Sequence, residues 1–223
     1  MRGSLFSLPA IAFLLASCCV TGFAQAPKDG VYISNEDIKA VLQRAIETKR
    51  VSPDNAIRVI DMGVYQLGVA VIHRGALGVN SAPNAGGGGN GNTAQPAPPG
   101  NPSTACGDQR PDATGPNGIL HDFTAESYVV ISGSATLITG GSIVNGKRSA
   151  PDNDVTTTLN GPSCSGTMVG YTSREIKPGD VIIIPEGVPH GFSAIPDQVT
   201  YLSIRPDLKK VLQHGYVNPA LSK

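Results

Sequence analysis

Apolar positions change period along the chain, and the changes mark its elements. Between Ser34 and Glu47, Ile38, Val41, Leu42, Ala45 and Ile46 recur at helical spacing with charged residues between them. Ser34, followed three residues later by Asp37, is a capping pattern, so an amphipathic helix is predicted here, packing one face on the outside of the body or against a partner subunit. The period then falls to two. Ile57 to Asp61 and Tyr65 to Arg74 read as strands joined around Met62-Gly63, with Val69, Val71 and His73 on one face and Arg74 on the other. Val181 to Ile184 is a short β-branched run suited to a strand covered on both faces, and Gln198 to Ile204 is a further strand. Asp207 to His214 carries a short helical pattern before a Gly-Tyr-Val-Asn-Pro tail, in which His214 is expected to be exposed.

Three stretches break this pattern. Arg2 precedes an apolar run from Leu5 to Val20 that is too short to span a bilayer and ends near small residues, which reads as a signal peptide cut after Ala24. Leu15-Ala16-Ser17-Cys18 also resembles a bacterial lipobox, which would put a lipid anchor on Cys18. From Val79 to Ala105 the chain is almost entirely Gly, Asn, Pro, Ala and Ser, the composition of a disordered surface insertion; with no Lys after its glycines and no helix pattern, it is no phosphate loop. Ser142 to about Gly170 reads as a solvated connection between strands, with a lid as the other reading. The expected order is therefore a leader over 1–24, a helical segment over 25–56, a β domain over 57–206 and a tail over 207–223.

Composition narrows the function. With 40% hydrophobic residues, 27 Gly and 18 Pro among 223 residues, the chain is a turn-rich β protein with a core large enough for one domain. Lys+Arg and Asp+Glu are equal at 17 each, and no basic cluster is interleaved with aromatics, which argues against nucleic acid as a partner. After the leader there is no transmembrane segment. Export would leave Cys106 and Cys164 in an oxidising compartment, both in Gly-, Pro- and Ser-rich surroundings, so one disulfide is expected.

The chemistry concentrates at Gly179 to His190, which reads G-D-V-I-I-I-P-E-G-V-P-H. Pro178-Gly179-Asp180 is turn chemistry, Pro185 stops the strand, and Gly187 lets the chain turn so that His190 comes back toward it. The spacing of Gly179, Pro185, Gly187 and His190 resembles the second motif of the cupin superfamily, although Ala194 stands where an Asn is common. Upstream, His121, Glu126 and Gly133 match that family's first motif, except that Ile119 replaces its leading histidine. The resemblance covers roughly His121 to Ile204.

It implies a mainly β fold, a jelly-roll-like antiparallel β-barrel, with the N-terminal helix and a short C-terminal helix added. It also implies one divalent metal ion, iron, manganese, nickel or zinc, held by His121, Glu126 and His190. Glu126 is in addition a candidate catalytic acid or base, since a carboxylate in an apolar barrel can have its proton affinity raised. His73 is a candidate extra ligand from a neighbouring strand, and Tyr128 and Phe192, each two residues from a motif residue, are candidate pocket residues. Two readings stand. One is an exported metal-dependent enzyme of oxygenase or isomerase type acting on a small organic molecule. The other is a non-catalytic module that binds a small ligand, with or without metal; a homodimer is open in both.

Overall fold

The computed structural model describes residues 26–50, 52–77 and 104–222. The leader, Cys18 and the low-complexity stretch up to 103 lie outside the described residues.

The helix forms as its capping pattern requires. In α1 (Asn35–Glu47) the Ser34 hydroxyl accepts from the Asp37 N–H at 3.0 Å, and the Asp37 carboxylate accepts from the Ser34 N–H at 2.9 Å. Its buried residue Val41 packs on Ile57 of β1 (Asp54–Asp61) and Val71 of β2 (Gln66–Leu77), so the helix lies on the outside of the β body.

The remaining strands are β3 (Ala105–Cys106), β4 (Asn117–His121), β5 (Glu126–Gly133), β6 (Ala135–Thr139), β7 (Ser142–Arg148), β8 (Ser163–Val169), β9 (Thr172–Ile176), β10 (Val181–Ile184) and β11 (His190–Asp207). Their pairings are antiparallel and build two sheets. One runs β1-β2-β11-β5-β10. The other runs β3-β7-β8-β4-β11-β6-β9. β11, 18 residues long, belongs to both. Its first residues pair with β4 and β6 and its later ones with β2 and β5, and register breaks between Phe192 and Ala194 and between Ile195 and Gln198 bend it from one sheet into the other. The core between the sheets includes Ile72, Tyr128, Leu137, Phe192, Ile195 and Tyr201. This is the expected jelly-roll-like architecture, as an open barrel whose strand pairing does not close into a ring.

Gly133, the last residue of the first motif, has φ +74°, and a Cβ there would lie 1.9 Å from the Gln198 carbonyl oxygen, so this crossing of β5 and β11 admits only glycine.

Three expectations are corrected. β10 is an edge strand paired with β5 alone, and Val181 and Ile183 are 63% and 71% exposed rather than covered. The stretch 142–170 is no solvated connection: β7 and β8 are strands of the second sheet, joined by a chain that carries a π-helical turn, Val155–Leu159. Residues 207–214 form turns instead of a helix. The Asp207 carboxylate takes the N–H groups of Val211 and Leu212 at 3.0 and 2.8 Å, and Lys210 adopts φ 52°, which together divert the chain from helical bonding. The C-terminal helical piece is a single 3-10 turn, Pro219–Leu221.

Candidate metal centre

The two motifs meet where three strands begin or end. His121 is the last residue of β4, Glu126 the first of β5 and His190 the first of β11. The motif turn is tied directly to the first motif, because the Gly187 N–H donates to the His121 carbonyl at 2.8 Å, and Gly187 makes the turn at φ +71°. As a result, ligand atoms of His121, Glu126 and His190 lie within 4.8 Å of one another, with every side chain buried. The Nε2 atoms of His190 and His121 stand 2.9 and 3.4 Å from Glu126 Oε2.

Hydrogen bonds on the far side of each ring determine what those nitrogens offer. His190 Nδ1 faces the Val188 carbonyl at 3.0 Å and must donate to it. Ser163 Oγ donates to the Gly161 carbonyl at 2.8 Å and so accepts from His121 Nδ1, also at 2.8 Å. Each ring thus uses Nδ1 as a donor and turns Nε2 toward Glu126, the nitrogen that would offer its lone pair to a cation. Two imidazole lone pairs and a carboxylate oxygen converging on one point are a nitrogen–oxygen donor set that fits a divalent metal, with each ring oriented by an outer hydrogen bond.

Glu126 keeps one oxygen for that point. Its Oε1 accepts from Asn160 Nδ2 at 2.9 Å, Ser203 Oγ at 2.9 Å and Arg205 Nε at 2.8 Å. Its Oε2 accepts from the Tyr128 hydroxyl at 2.8 Å and faces the imidazoles. Arg205 is buried too and also binds the Leu159 carbonyl at 2.9 Å and Asp54.

The electrostatics bear on the protonation of Glu126. Burial alone would raise the proton affinity of Glu126, but the Arg205 charge and the His121 and His190 hydrogen bonds outweigh it and hold the carboxyl well below its ordinary range. Burial pushes the His121 imidazolium down, against the pull of Glu126, and keeps the ring neutral as a ligand must be. Burial and the Glu126 charge push the Tyr128 hydroxyl well up, so it stays a donor.

The other expected site residues divide. Tyr128 belongs to the centre. Phe192 lines the interior, with the Arg74 guanidinium 5.1 Å from its ring centroid and Tyr201 beside it. His73 is not brought to the site. It is exposed on the face that carries Val71, which α1 covers, and its Nδ1 pairs with Thr200 Oγ1 at 2.9 Å. Cys106 and Cys164 form the expected disulfide, which links β3 to β8 one residue from Ser163. Two surface hollows of about 300 and 320 Å³ are lined by other residues, among them Ile182 and Pro185 in one and Arg148 and Pro189 in the other; neither is lined by His121, Glu126 or His190.

Asn160, Ser203 and Arg205 escaped the sequence reading. A signal existed for two of them, because Val199, Tyr201, Ser203 and Arg205 share one face of β11 by the period of two, and polar residues on an inward strand face must have partners.

No family model matches the chain, and no curated protein matches it. Solved structures similar to it include a Bacillus halodurans protein, with 14% identity over 87% of this chain and 93% of that one and a TM-score of 0.37. A recombinant oxalate oxidase in complex with glycolate is similar at 12% identity over 73% and 55% of the two chains, with a TM-score of 0.31. The Drosophila melanogaster CENP-C cupin domain is similar at 9% identity over 79% and 99%, with a TM-score of 0.28. Within this chain, two antiparallel sheets share one long strand, and the two motifs bring His121, Glu126 and His190 to one point. That is the cupin arrangement the motifs resemble.

Proposed function

We propose that this protein is an exported, metal-dependent cupin-type enzyme that acts on a small organic molecule by an oxygenase- or isomerase-type reaction. The observation that carries the reading is the convergence of two buried histidines on one glutamate oxygen: with each Nδ1 held by an outer hydrogen bond, both Nε2 atoms face Glu126 Oε2, where an ion could take them as ligands. His121, Glu126 and His190 would hold the ion. When bound, a divalent ion supplies Lewis acidity and, for iron or manganese, one-electron chemistry. The chain's own contributions follow from its contacts. Arg205 and Ser203 keep Glu126 ionised and fix its orientation, Tyr128 presents a neutral hydroxyl at Oε2, and the burial of all three ligands excludes bulk water. Export is supported by the apolar leader and by the disulfide between Cys106 and Cys164.

Burial also favours a second reading, a non-catalytic small-ligand module, because His121, Glu126 and His190 are only 3%, 2% and 3% exposed. Elemental analysis of protein purified without added metal separates the two. About one equivalent of iron, manganese, nickel or zinc, lost in His190→Ala, supports the enzyme; a chain that neither retains nor takes up a divalent ion leaves the module.

A further inference from the structure

The first motif lacks one histidine, and Ile119, at its place, pairs across the sheet with His190 and offers no ligand atom. Another residue stands at the centre instead. Asn160 follows the π-helical turn between β7 and β8 and is itself 4% exposed. Its Nδ2 lies 2.9 Å from His121 Nε2, the nitrogen that faces Glu126, and 2.9 Å from Glu126 Oε1. The backbone at this residue is held from both ends: the Asn160 N–H donates to the Val155 carbonyl at 2.9 Å, and the Thr124 hydroxyl donates to the Asn160 carbonyl.

We propose that Asn160 is the fourth protein ligand of the metal centre, supplying its side-chain amide oxygen in place of the absent histidine. The inference rests on the metal-binding reading above. When the lone pair of His121 Nε2 is given to a cation, the amide N–H loses its acceptor on that side. A half-turn of the terminal amide about χ2 then exchanges Nδ2 for Oδ1 with no backbone movement, the two ends of an amide being nearly the same size; Glu126 Oε1 gives up its Asn160 donor and keeps Ser203 and Arg205. An amide oxygen is a neutral hard donor, so the set of two imidazoles, one carboxylate and one amide favours oxygen-tolerant ions such as manganese, iron or cobalt over softer ones. It also assigns a role to the chain between β7 and β8, which carries a ligand into the barrel.

The test is Co²⁺ binding to the full-length protein, followed by calorimetry and by the visible absorption of the bound ion, which reports coordination number. Wild type is expected to bind one Co²⁺. Asn160→Ala should bind at least 10-fold more weakly with a changed absorption band, while Asn160→Asp, which keeps an oxygen at the same reach and adds charge, should bind at least as tightly as wild type with a band like that of wild type. Far-ultraviolet circular dichroism of both variants monitors folding. If Asn160→Ala keeps wild-type affinity and spectrum while His190→Ala loses the ion, Asn160 is no ligand and the three-residue centre stands. If Asn160→Asp binds as poorly as Asn160→Ala despite a native fold, the amide acts only as a donor to Glu126 and the proposal is overturned. If wild type itself binds no Co²⁺, the metal reading fails and this inference with it.

Discussion

Arg205 lays its guanidinium against Glu126, Nε 2.8 Å from Oε1, with both side chains 2% exposed. The charge of the central carboxylate is thus balanced from within the barrel before any ion arrives. The same guanidinium reaches Asp54 at the start of β1 and the Leu159 carbonyl beside the centre, so one side chain joins the N-terminal strand, the last strand and the chain that carries Asn160. Burial opposes the charge on Arg205, but Asp54 and Glu126 outweigh it and hold the guanidinium firmly protonated.

Removing one member of such a pair leaves the other buried and uncompensated. Arg205→Met is expected to destabilise the metal-free protein by about 3–5 kcal/mol, and the double variant Arg205→Met/Glu126→Gln should recover part of that loss. Urea unfolding of the two variants and wild type measures both. A loss below about 1 kcal/mol in the single variant would show that the pair is electrostatically unimportant.

His121→Ala and His190→Ala should each lower metal occupancy while the far-ultraviolet circular dichroism stays native. His73→Ala is the internal control: its ring is exposed and pairs with Thr200, so metal content should be unchanged and stability should shift by no more than about 0.5 kcal/mol. Equal metal loss in all three variants would mean that occupancy reports general damage and not ligation.

Acid should destabilise the metal-free protein in two stages. The His121 ring titrates below its ordinary 6.5 when folded, so the unfolded chain binds more protons and stability falls as pH drops below about 6.5 toward the folded value. Glu126 is depressed well below its ordinary 4.5, so the stability it contributes is present above that value and is lost as pH falls further, through the folded value. Each group contributes a slope of up to about 1.4 kcal/mol per pH unit within its window. Denaturant midpoints from about pH 7.5 to about pH 2 in the presence of a chelator measure the curve. His121→Gln should flatten the upper part, and a curve identical to wild type would contradict the assignment.

The Cys106–Cys164 bridge spans a sequence separation of 58 and holds β3 and β8 to the second sheet. By loop entropy it contributes about 4 kcal/mol, as an upper figure. Cys106→Ser/Cys164→Ser should therefore lose up to that amount in urea. Because Cys164 pairs with Leu120 of β4 and follows Ser163, which pairs with His121 and orients its ring, metal affinity should fall as well. An unchanged affinity would show that β8 holds its register without the bridge.

What the sequence determined by itself is local. Ser34 and Asp37 sit one helical turn apart and cap α1 whatever the rest of the chain does, and Gly187 and Pro185 shape the turn that presents His190 through their own backbone restrictions. Motif spacing also predicted that His121, Glu126 and His190 would meet, since each stands at a strand end whose direction its neighbours set. The faces of the strands were a different matter. Period two shows that Val69, Val71 and His73 lie together but not which face looks inward, and the packing of α1 on Val71 turned His73 away from the centre. Likewise Asn160 and Arg205 lie 34 and 79 residues from Glu126, and nothing in their own neighbourhoods specifies the approach. Only the tertiary structure brings them together, because a buried carboxylate must find its donors and counter-charge wherever the packed sheets place them.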